Sequence, residues 1–94
     1  MKIEFDPAKR DITLAERGFD FATDAATVFA GMTLTFRDAR WDYGEQRFQT
    51  YGLLNDRMVM VVWTARGDAR HVMSMRKCND REQAKFGEQL GRSG

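Results

Sequence analysis

Cysteine and histidine are almost absent from this chain of 94 residues: each occurs once, as Cys78 and His71. A lone cysteine cannot form an internal disulfide. One residue of each type also cannot supply a His- or Cys-based structural zinc site, a CxxC redox pair or an HExxH helix. Any metal would need carboxylate ligands, and neither a metal nor a cofactor is expected. The eight glycines never fall into GxGxxG or GxxxxGKS/T, so a dinucleotide site or P-loop has no support. Long hydrophobic runs are missing too. The longest, Met58 to Trp63, has six residues, against the roughly 20 that span a bilayer. With no signal-peptide pattern at the N-terminus, the expectation is a cytoplasmic protein without a membrane partner.

What is present fits a small globular fold. Apolar residues make up 43% and charged residues 31% of the chain, a balance unlike that of disordered segments. At this length about 60 to 65% of the unfolded chain's surface can be buried, enough for one modest core. A single domain over residues 1–90 is expected, with a disordered tail over 91–94.

Net charge is +1, with 15 Lys and Arg against 14 Asp and Glu. The balance hides an asymmetry. Residues 1–45 hold six bases and nine acids, whereas residues 46–94 hold nine bases and five acids. Eleven of the bases are arginine, and Arg57, Arg66, Arg70, Arg76 and Lys77 face one acid, Asp68, within that segment. The planar guanidinium fork grips phosphate oxygens in pairs, so arginine-rich strands point to a phosphate-bearing partner such as nucleic acid. The plainer alternative is a solvated surface face.

Hydrophobic periodicity gives the elements. Lys2 to Phe5 alternates as a short strand. Asp6-Pro7 opens a helix of about 11 residues, with an apolar stripe of Ile12, Leu14 and Ala15 and an end at Gly18. Asp20 is placed to cap a second helix that buries Phe21, Ala22, Ala25, Ala26, Val28 and Phe29 and ends at Gly31, making a helical hairpin. The period then changes to two. Strands are expected near Met32–Arg37, Arg47–Leu54, Met58–Thr64 and Ala69–Lys77, with turns at Asn55-Asp56 and Gly67-Asp68. Asn79 and Glu82 form a capping box for a last helix reaching about Leu90. The resulting class is α+β, a small antiparallel sheet in β-α-α-β-β-β-α order with the hairpin and a C-terminal helix. Met58, Met60, Met73 and Met75 read as core filling.

The chain resembles the BrnT toxins of bacterial type II toxin–antitoxin pairs, within the RelE/ParE-like superfamily. The resemblance covers about residues 2–86. It rests on Phe5-Asp6-Pro7-Ala8-Lys9, the Ala25–Phe29 helix end, Glu45-x-Arg47, Gly52-Leu53, Arg57, Val61-Val62-Trp63-Thr64-x-Arg66, Arg70-x-Val72-x-Ser74-x-Arg76-Lys77 and Arg81-Glu82. It implies a RelE-like fold and a toxin that cleaves RNA without a metal. It also implies neutralisation by a BrnA-like ribbon-helix-helix antitoxin, with operator DNA bound only through the complex. A ParE-like toxin that binds a protein such as DNA gyrase, without nuclease activity, is the alternative. Many relatives carry Lys-His-Gly at the end of the first helix. Glu16-Arg17-Gly18 stands there instead, so a role for that histidine does not transfer.

Metal-free RNA cleavage uses the neighbouring 2′-hydroxyl as nucleophile. It requires an aligned phosphate, a base, an acid and cations for the pentacoordinate transition state. Strand alternation puts Arg70, Ser74 and Arg76 on one face, with both arginines as phosphate ligands and Ser74 orienting the phosphate. Arg66 is the candidate for a flanking phosphate, Lys9 for charge stabilisation or proton transfer, and Glu45 for general base with Arg47 beside it. Glu45 and Arg47 could equally be a surface ion pair worth well under ~1 kcal/mol. Parity sends His71 to the other face, with Met73 and Met75. Trp41, Tyr43 and Tyr51 offer either base-stacking or packing surface. Phe48, Phe86 and Leu90 are the apolar residues expected to dock an antitoxin helix.

Overall fold

Alternation in the first strand already sorts the molecule into layers: Ile3 and Phe5 of β1 (Lys2–Phe5) turn toward a core, and Glu4 turns away from it. The computed structural model describes residues 1–40, 42 and 44–91. Trp41, Tyr43 and residues 92–94 of the expected tail lie outside the described residues.

Helix α1 (Pro7–Arg17) begins as its first residues dictate. The Asp6 carboxylate accepts from the Ala8 amide at 2.9 Å, Pro7 fills the first turn, and Gly18 at φ 76° closes the helix by donating to the Leu14 carbonyl. The expected apolar stripe is not a core face: no residue of α1 is buried, and Ile12 is 56% exposed. Polar ties hold the helix instead. Arg10 grips the Asp20 carboxylate through Nε and Nη2, both at 3.0 Å, and Arg17 Nη1 donates to the Met75 carbonyl at 3.0 Å. Arg17 therefore anchors the last turn of α1 to the sheet.

Asp20 does not cap the second helix. Its carboxylate accepts from Ala22 in a separate turn, and α2 (Asp24–Ala30) starts four residues later with Thr23 as cap. Ala25, Val28 and Phe29 are buried as expected, whereas Ala22, in the turn before the helix, and Ala26 are exposed. Gly52 sets how closely α2 approaches the sheet. A Cβ there would stand 2.7 Å from Val28 Cγ1, so a side chain would push the helix off.

Four strands follow the helices, one more than the expected order: β2 (Thr33–Asp38), β3 (Arg47–Leu54), β4 (Arg57–Arg66) and β5 (Ala69–Lys77). They form an antiparallel meander, and β1 adds to β5 in parallel, giving a mixed sheet of order β1-β5-β4-β3-β2. The expectation of a purely antiparallel sheet is corrected by β1. The helical segment between β1 and β2 carries the chain from one sheet edge to the other. The apolar run in β4 is central, with neighbours on both sides. The Asn79 capping box is present, opening α3 (Asp80–Phe86), but that helix stops short and a 3-10 turn over Glu88–Leu90 follows.

The two sheet faces are covered differently. Phe21, Val28, Phe29, Val61, Trp63 and Val72 form a core between the sheet and the helical segment. On the opposite face, Tyr51, Met58 and Met60 pack with Cys78 and Leu90 beneath α3 and the 3-10 turn. Leu90 is buried and Phe48 stacks on Trp63 at 4.8 Å, so these two do not offer a docking surface. Phe86 packs against Tyr51 and Phe36. Tyr51, 6% exposed, is a packing residue.

Candidate functional site

A single irregularity decides which side chains share a face. In the β4–β5 ladder Val62 pairs with Ser74 but Trp63 pairs with Val72, so Met73 is an extra residue in β5. Alternation counted through the strand is therefore broken between Val72 and Ser74. Arg70 and Val72 lie on the helix side, Ser74 and Arg76 on the other, and Met75 on the helix side again. The expected grouping of Arg70, Ser74 and Arg76 on one face is overturned by that bulge.

The surroundings of the two arginines agree. The Arg70 guanidinium lies 4.5 Å from the ring centres of both Phe29 and Trp63, a cation–π position over the helix-side core. Arg76 is clamped by Glu82, with Nη1 to Oε1 and Nη2 to Oε2 both at 2.8 Å. That bidentate pair joins β5 to the capping box of α3, and Tyr51 donates to Glu82 Oε2 at 3.3 Å. The Arg76 fork holds the Glu82 carboxyl down to about 2. Burial, with Glu82 nearby, pushes the Cys78 thiol up to about 12, so it stays protonated.

His71 is also moved by correct counting. It pairs with Thr64 and Glu4, on the face opposite Val72 and Met75. The register then lines up one residue from each strand: Glu4, His71, Thr64, Arg47 and Asp38 form a row across the sheet on the face that α3 covers only in part. Thr64 forms its floor, buried and donating its hydroxyl to the Gln46 carbonyl at 2.6 Å. The neighbouring row brings Lys2, Ala69 and Arg66.

Glu45 joins the two rows from the end of the β2–β3 loop. Its Oε1 lies 3.6 Å from Arg47 Nε and its Oε2 lies 4.0 Å from Arg66 Nη2. Three of the expected site residues thus come together, drawn from a loop and two strands. They are half exposed, and the contacts exceed hydrogen-bond length. Beside Glu45 opens a cleft of about 440 Å³ lined by Arg37, Asp38, Ala39, Arg40, Asp42 and Gln46. Its wall is fixed by the buried Asp38 carboxylate, which receives Arg40 Nε and Nη2 at 2.9 Å each. Ser74 shares the face of this cluster. Lys9 is exposed on α1, which packs beside β5, and makes no ion pair with the cluster.

The sequence alone does not reveal the row that contains His71, because pairing with Glu4 joins residues far apart in the chain. A usable signal was the Gly67-Asp68 turn. Counting outward from it pairs Arg66 with Ala69 and Thr64 with His71, as observed. Among the described residues no group of three or more His, Cys, Asp and Glu side chains is arranged to hold a metal ion, and no helix is long and apolar enough to cross a membrane.

Comparison with curated proteins gives no match. Residues 5–82 match the family model described as the ribonuclease toxin, BrnT, of type II toxin–antitoxin systems. The matched span takes in Glu45, Arg47, Arg66, His71 and Ser74. The chain therefore belongs to the BrnT family of ribonuclease toxins, which implies an RNA target and an antitoxin partner.

Proposed function

We propose that the chain is a metal-independent endoribonuclease that arrests translation by cutting RNA through attack of the 2′-hydroxyl on the adjacent phosphate. The observation that carries this reading is Glu45 bracketed by Arg47 and Arg66 at the mouth of a cleft. A carboxylate in that position takes the 2′-hydroxyl proton. The guanidinium groups hold the phosphate and spread the charge that builds on it. The 4.0 Å contact of Arg66 suits this task, because its guanidinium can re-aim at an arriving phosphate without first giving up a short hydrogen bond to Glu45. Ser74 orients the phosphate from the same face.

Arg70, Arg76 and Lys9 are left out of this site. The bulge separates Arg70 from Arg76, Glu82 occupies the Arg76 fork, and Lys9 stands apart on α1. The layout of helices and mixed sheet is read as RelE-like, and the antitoxin as a BrnA-type ribbon-helix-helix protein that alone brings operator DNA to the complex.

Purified protein is expected to cleave single-stranded RNA in EDTA and to leave a 2′,3′-cyclic phosphate. Arg66→Ala should lower the rate at least ~10-fold, equivalent to about 1.4 kcal/mol of transition-state stabilisation. RNA left intact by micromolar protein would contradict the reading.

A further inference from the structure

His71 has no part in the core. Its side chain is 17% exposed, and its Nδ1 is enclosed without a hydrogen-bond partner, with Glu4 Oε2 at 3.9 Å as the facing charge. With Nδ1 enclosed, the exposed part of the side chain lies elsewhere on the ring. In register, the row continues from His71 through Thr64 to Arg47. Adjacent strands lie about 4.8 Å apart, which sets His71 and Arg47 roughly 10 Å apart at the backbone. The buried Thr64 lies between them as a low floor. A phosphodiester resting on that floor would meet Arg47 on one side and the imidazole on the other, with Glu45 and Arg66 at the Arg47 end.

We infer that His71 is a catalytic residue, the acid that protonates the departing 5′-oxygen. The inference rests on the ribonuclease reading above. Glu45 takes the proton of the 2′-hydroxyl, a bond forms between that oxygen and phosphorus, and the bond from phosphorus to the 5′-oxygen breaks. The protonated His71 ring gives its Nε2 proton to that oxygen. Glu45 then releases its proton to water, and the ring takes one back, so the net change is RNA to a 2′,3′-cyclic phosphate and a free 5′-hydroxyl. An imidazole suits this task because it is the side chain that most often gives a proton to a leaving group as a general acid. The charged groups nearest it in register on that face are Glu4 and Lys2 on β1, Arg66 on β4 and Arg47 on β3. Glu4 is a positioning residue behind the ring.

The test compares two RNA oligonucleotides in EDTA under single-turnover conditions: ordinary RNA, and RNA whose bridging 5′-oxygens are replaced by sulfur. A 5′-thiolate leaves without needing an acid. His71→Gln is expected to slow cleavage of ordinary RNA at least ~100-fold and to cleave the sulfur-bridged RNA within about threefold of wild type. In the unaltered protein, the fall in rate at alkaline pH should appear with ordinary RNA and be absent with the sulfur-bridged RNA. This second arm does not depend on how any variant folds. Equal loss on both substrates by a variant with a wild-type thermal melt would overturn the role of His71. So would an alkaline fall shared by both substrates in the unaltered protein. Either result leaves the ribonuclease reading standing. Failure of the unaltered protein to cut either RNA would remove both.

Discussion

Arg66 and Arg76 carry the same charge, and their neighbours separate their roles. Arg66 reaches Glu45 only at 4.0 Å from a half-exposed position, whereas Arg76 makes two 2.8 Å bonds to Glu82. The second arrangement is a structural clamp, and pH should reveal it. Glu82 stays ionised in the fold down to about 2, mainly because Arg76 donates to it, against 4.5 for a carboxyl free of the fold. The stability it supplies is present in full above about pH 4.5 and is lost as pH falls toward 2. Discounted for the water around the pair, it is about 1–2 kcal/mol. Denaturant unfolding should show Glu82→Gln less stable than wild type at pH 7, with the gap closing across that window. A gap that stayed constant down to pH 2 would contradict the clamp. At this scale the sequence was partly legible. Glu45 and Arg47 are two residues apart and meet whatever the rest of the fold does. The pair of Arg76 with Glu82 depends on how β5 and α3 meet, and the sequence showed only the capping role of Glu82.

Among the elements, turns and caps were the most legible, because their chemistry is local. Asp6-Pro7, the Asn79 box and Asn55-Asp56 all stand where their residue types place them. Asn55 and Asp56 both adopt positive φ, 51° and 64°, as a tight two-residue hairpin turn of the primed kind requires. Asparagine tolerates that conformation better than most residues, and glycine does so without a Cβ penalty. Asp56→Gly, at an exposed position, is therefore expected to raise stability by about 0.5–1 kcal/mol, measured as a shift in the denaturation midpoint with unchanged slope. A loss of stability would mean that the Asp56 side chain supports the turn. The bulge at Met73 was not legible. Val72 and Met73 are consecutive apolar residues, which a plain strand also accommodates, and the extra residue becomes visible only against its partner strand β4. The start of α2 was lost for a similar reason: Asp20 was drawn to Arg10, a partner on another helix.

Across the whole molecule, the sheet divides two kinds of work. One face carries the larger core and the helical segment, and Arg70 belongs to it by lying over Phe29 and Trp63. The other face is half covered by α3 and half open, and the open part holds Glu45, Arg47, Arg66, His71 and Ser74. The α+β class and the four strand segments after the helices followed from periodicity, although the expected order counted only three of them. The parallel docking of β1 on β5 did not, since a four-residue strand does not specify a distant partner. That pairing matters for the site, because it brings Glu4 behind His71.

The most direct test of this division is a single-turnover RNA cleavage assay in EDTA on Arg47→Ala, Arg66→Ala and Arg70→Ala, each shown by thermal melt to be folded at the assay temperature. The expected result is a loss of at least ~10-fold for Arg47→Ala and for Arg66→Ala. Arg70→Ala should cleave within about threefold of wild type, with a lower melting temperature from the lost cation–π contacts. The reverse pattern, with activity lost in Arg70→Ala and kept in the other two, would put the chemistry on the helix side of the sheet and contradict the site described above.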